Sequence, residues 1–181
     1  MPPGTFLVRA LATDLGLLAA SLGVLAFFPG GVRLRLRARE ILPVVVSFAA
    51  MFSVNLLASW AIGATGEPYS GLPEIPRGLL GAAVVLTAAV AAPASEELFF
   101  REALLARVFA GTPRAFALGT TSVGFSALHL GAGGPLLFLA LTGMGLVLGF
   151  LRLRTGSLGA AILVHGANNL AASLLFLLGR G

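Results

Sequence analysis

"GLLGAAVVLTAAVAAPASEELFFREALLARVF", Gly78 to Phe109, begins as an apolar run and then places three carboxylates and an arginine within the eight residues Ser95 to Glu102. Only 10% of the chain is charged, so four ionisable groups in one such stretch are not solubilising decoration. Ionisable side chains inside an apolar span are costly to keep there and are functional by default.

The rest of the sequence supports a membrane setting. The chain has 181 residues, room for one domain, and 57% of them are hydrophobic, with a mean hydropathy of +0.98. These values lie outside the soluble globular range. Helices satisfy their own backbone groups in hydrocarbon, so the expected fold is an all-α polytopic bundle, a single integral membrane domain over residues 1–181. Six segments approach the length of about 20 residues that a crossing requires. They run from about Leu7 to Phe28, interrupted by Asp14; Ile41 to Ile62; Gly78 to Phe109; Ala115 to Leu130; Pro135 to Leu153; and Leu158 to Leu178. Short connections make neighbours antiparallel. The basic block "GVRLRLRARE" after the first segment favours a retained span over a cleaved signal peptide.

All twelve basic residues are arginine, and they record topology rather than nucleic-acid binding. Arg33, Arg35, Arg37, Arg39, Arg101, Arg107, Arg114, Arg152 and Arg154 fall at or near one side, against Arg9, Arg77 and Arg180 on the other. The richer side is expected to be cytoplasmic, with both termini outside. The absence of cysteine removes disulfides, thiolate metal sites and a cysteine nucleophile together.

On a helix, Glu97 and Arg101 share a face, while Glu96 points about 100° away and has no basic residue four positions on. One carboxylate is thereby held and the other left free, which suits Glu96 to general-base work. The two histidines of the chain are His129 in "FSALHL" and His165 in "VHGANN". Counted at about 1.5 Å per residue, Glu96 and His129 lie roughly 20 Å, and His165 and Asn169 roughly 10 to 17 Å, from the arginine-rich ends of their helices. The four can therefore meet. His165 and Asn169 share a face and can both donate to one oxyanion, with Asn168 the second choice. Thr120 and Gly124, and Gly145 and Gly149, are expected to serve close helix packing.

"EELFFR", "FSALH" and "HGANN", in that order on successive apolar segments, resemble the three motifs of the CAAX protease and bacteriocin-processing family, also called the Abi family, which includes type II CAAX prenyl endopeptidases. The resemblance covers about Gly78 to Leu178. It implies a glutamate-dependent intramembrane protease without metal or other cofactor: Glu96 with His129 activates water, His165 with Asn169 stabilises the oxyanion, and Glu97 with Arg101 holds the architecture. Members often carry Gly after the motif arginine, where this chain has Glu102. The alternative for the same residues is a zinc site of Glu96, His129 and His165 with an open water position. The alternatives for the protein are a non-proteolytic scaffold or bacteriocin-immunity protein of the same fold, and a small transporter with a carboxylate proton relay. The implied partners are membrane lipid and a peptide or protein substrate at the membrane, not nucleic acid. Arginine-only basicity with abundant Ala, Gly and Leu points to a bacterial inner membrane, where a prenylated substrate is not expected.

Overall fold

The computed structural model describes residues 2–67, 75 and 78–178; Arg77 and Arg180 of the charge argument lie outside them. Six helices follow one another: α1 (Pro3–Phe27), α2 (Ile41–Thr65), α3 (Leu79–Val108), α4 (Arg114–Ala127), α5 (Pro135–Thr155) and α6 (Leu158–Leu178). A single turn of 3₁₀ helix, Ala38–Glu40, leads into α2. Five of the helices are long and apolar enough to cross a membrane. The exception is α4. With 14 residues it spans about 21 Å, and it stops at Ala127 rather than running on to Leu130. Residues 128–131 instead form turns that carry His129.

Most large apolar side chains lie on the outside, as a bundle solvated by lipid requires, and the interior is built from small or flexible residues. Met51 of α2, Met144, Leu148 and Leu151 of α5, and Ala160, Ala161 and Val164 of α6 make the shared core. On α5, Gly145 lies against the backbone of Ser122, where an added Cβ would meet the Ser122 Cα at 3.0 Å. Gly149 receives Leu118, and Gly124 lies beside Phe100. Thr120 takes no part in this seam. It faces outward, one position off the buried stripe Ala117, Thr121, Ser122, Phe125 and Ser126.

Helix α3 is not uniformly α-helical. Thr87–Ala91 and Leu98–Val108 adopt the wider π form, which bonds each N–H to the carbonyl five residues back, and Ala92–Glu97 between them is α-helical. Such departures gather at functional sites. Pro93 supplies one cause, since it has no N–H to continue the ladder. In the π register its missing partner is the carbonyl of Ala88, and Asn169 Nδ2 on α6 donates to that oxygen at 2.9 Å.

One end of the bundle gathers the arginines. Glu102, fully buried, accepts from Arg107 and Arg152, both at 2.6 Å, and so ties α3 to α5. Glu102 and Arg107 are five residues apart, the spacing that a π-helix brings onto one face. Arg107 also donates to the carbonyls of Pro29 and Gly31 in the α1–α2 connection. That connection runs beneath α6, where Leu158 N donates to Arg33 O at 2.8 Å and Arg33 bridges Glu40 to the Thr155 carbonyl. At the opposite end, the Glu67 carboxylate accepts from Leu136 N at 3.1 Å, a negative charge on the N-terminus of α5.

Two outcomes are expected. Reporter fusions after Gly66 and at the C-terminus should both read as outside, and a cytoplasmic reading at either would reverse the orientation. Glu102→Gln should destabilise the purified protein by on the order of 3 kcal/mol in a denaturation titration, because two arginines lose one buried partner. An unchanged midpoint would show that the cluster contributes nothing to stability.

Candidate active site

The α-helical segment of α3 sends three consecutive side chains, at about 100° intervals, to three different destinations. Ser95 turns toward α1, Glu96 toward a cavity, and Glu97 into the seam with α6. Glu97 is fully buried. Its Oε1 lies 2.9 Å from His165 Nδ1, and its Oε2 lies 3.2 Å from Arg101 Nε. The arginine contact is an ion pair rather than a hydrogen bond, so its strength is electrostatic. Arg101 is itself 1% exposed; it donates to the Gly145 carbonyl at 3.3 Å and stacks 4.8 Å from the Phe125 ring centre. One carboxylate thus neutralises one guanidinium and orients one imidazole.

Glu96 has no such partner among the described residues. The imidazole of His165 lies beside it, with Nε2 at 3.8 Å from Oε2, beyond hydrogen-bond range. It lines a cavity of about 450 Å³ together with His129, His165, Asn168 and Asn169. The lining continues to Phe6, Ile62 and Gly63, so the cavity extends toward the end opposite the arginine cluster. Its size is that of a small-ligand pocket, enough for a stretch of peptide and a water. A second groove, about 580 Å³, runs along α2, α4 and α5, but apart from Ser47 and Arg154 it is apolar and carries no hydrolytic side chain.

The four residues expected to converge all line one cavity. His165, rather than His129, is the histidine closest to Glu96. His129 sits beyond the end of α4, where Nδ1 lies 3.2 Å from the Phe125 carbonyl. A carbonyl only accepts, so the proton of this contact is on Nδ1, and in the neutral form of the ring Nε2 is the acceptor. Asn169 has one amide hydrogen on Ala88 O and a second available. Asn168 is turned inward and 2% exposed, and its Oδ1 has no hydrogen-bond partner among the described residues. Close approach of α6 to α3 depends on Gly166, whose missing side chain leaves room for the Ala89 carbonyl.

Among the described residues, no three His, Cys, Asp or Glu side chains are grouped as metal ligands would be. Two participants escaped the reading by helical spacing. Asp14 and Glu102 are both buried and bonded across helices, and neither has a charge-complementary residue three or four positions away.

Nothing among curated proteins or solved structures matches the chain significantly. The type II CAAX prenyl endopeptidase Rce1-like family matches residues 78–171, a little over half of the chain, from the start of α3 to beyond Asn169 on α6. The protein therefore belongs to the Rce1-like family of type II CAAX prenyl endopeptidases.

Proposed function

We propose that this protein is an intramembrane endopeptidase that hydrolyses a peptide bond of a membrane-associated protein or peptide, with Glu96 as general base. The observation that carries this reading is the contrast between adjacent glutamates: Glu97 is fully committed to Arg101 and His165, while Glu96 faces the cavity without a hydrogen bond among the described residues. Binding alone has no need of a free carboxylate beside two imidazoles, whereas hydrolysis does.

In this reading Glu96 removes a proton from water, and the water oxygen attacks the scissile carbonyl carbon. The carbonyl oxygen becomes an oxyanion. As the C–N bond breaks, protonated Glu96 returns its proton to the departing amine, leaving a carboxylic acid and an amine and no net proton change at the site. His129 Nε2 accepts the second hydrogen of the water and so orients it. The second amide hydrogen of Asn169 donates to the oxyanion. His165 joins it through Nε2 when the ring carries both protons, with Glu97 as the counter-charge at Nδ1. Glu97 and Arg101 touch neither water nor substrate; they position His165.

The test compares C-terminal peptides from membranes carrying wild-type protein or Glu96→Gln. New C-termini should appear with the wild type and fall by about 10² to 10⁴-fold in the variant at equal protein level, the range for loss of a general base. Absence of wild-type-specific termini would favour the scaffold or immunity reading; equal cleavage by Glu96→Gln would remove Glu96 from the chemistry. Purified protein should keep its activity through EDTA and phenanthroline. Loss that zinc reverses would convert Glu96, His129 and His165 into metal ligands.

A further inference from the structure

We infer that Asp14, in the first helix and outside the residues that match the family, is a positioning residue that acts through Ser95 to fix the direction of Glu96. Asp14 lies near the middle of α1 and is 6% exposed. Ser95 Oγ donates to its Oδ1 at 2.6 Å, in preference to the Ala92 carbonyl 3.0 Å from the same hydroxyl, while its Oδ2 has no hydrogen-bond partner among the described residues. The buried face of α1 consists of Asp14, Leu17 and Ser21, and Ser21 spends its hydroxyl on the Leu17 carbonyl within the same helix. The Asp14–Ser95 bond is therefore the described side-chain hydrogen bond that joins α1 to α3.

Its position gives it a function. The segment Ala92–Glu97 lies between two π stretches, departures from the regular helix that gather at functional sites, and side chains hold it on both flanks of Glu96. Glu97 is tethered on one flank of Glu96 by His165 and Arg101, and Ser95 is tethered on the other by Asp14. With both neighbours held, Glu96 has one direction left, into the cavity. A carboxylate in hydrocarbon is costly, and a merely apolar contact would have docked α1 equally well.

The chain contains no cysteine, so Glu96→Cys carries a single thiol whose alkylation by N-ethylmaleimide reports whether position 96 faces the cavity. In detergent-purified full-length protein, adding Asp14→Leu or Ser95→Ala should slow alkylation about tenfold. Adding Asp14→Asn should restore it, because the amide oxygen still accepts from Ser95. Leu17→Ala should lower the melting temperature without changing the alkylation rate. With Glu96 intact, Asp14→Leu should lower turnover by about 10 to 10²-fold with KM little changed, the scale for a misplaced reacting group. Unchanged alkylation in Asp14→Leu, or no rescue by Asp14→Asn, would overturn the assignment. The catalytic meaning rests on the proposed peptidase reading, and alkylation is measured without it: slowed alkylation of the Glu96→Cys thiol on adding Asp14→Leu, together with a wild-type protein that cleaves nothing, would sink the peptidase reading alone.

Discussion

A charge buried in a membrane bundle must be matched by another, and the structure rests on how Glu97 meets that requirement. Its two oxygens face two cations or potential cations, Arg101 on its own helix and His165 on α6. Arg101 in turn fixes α5 through the Gly145 carbonyl and α4 through the Phe125 ring. Four helices are thereby referred to one carboxylate. Removing either member of such a pair leaves the other stranded at low dielectric, which costs far more than the net worth of the intact pair.

The same constraint accounts for the irregular helix beside it. Pro93 frees a carbonyl that hydrocarbon cannot solvate, and Asn169 answers it from α6. Asn169 is thus a backbone partner and, through its second hydrogen, a candidate oxyanion donor. The π register also turns Glu102 toward Arg107 and Arg152, closing the arginine end of the bundle while the cavity extends toward the other. Proline, asparagine and glycine at these positions hold open a space that a regular helix pair would fill: Gly166 admits the α3 backbone, and the early end of α4 leaves His129 on a turn at the cavity wall.

Much of this is legible from residues alone. Apolar runs locate all six helices, with α6 matched at both ends and α4 overextended, because apolar residues continue past Ala127 although the chain turns there. The Glu97–Arg101 pair follows from spacing four, and depth counting brings Glu96, His129, His165 and Asn169 to one cavity. Spacing could not give the partner of Asp14, which is 81 residues away, nor that of Glu102, whose local partner sits at a π interval. Depth counting also fails to order the histidines, since the few ångströms that place His165 rather than His129 next to Glu96 are set by the packing of α6 on α3.

The central claim is that two adjacent glutamates have opposite duties, one holding the bundle and the other left free inside it. It is tested most directly by comparing the unfolding free energies of purified Glu96→Gln and Glu97→Gln in the same detergent. Glu97→Gln should lose about 3 to 5 kcal/mol, the cost of stranding a buried charge, while Glu96→Gln stays within about 1 kcal/mol of the wild type. Equal losses, or a larger loss at Glu96, would contradict the account.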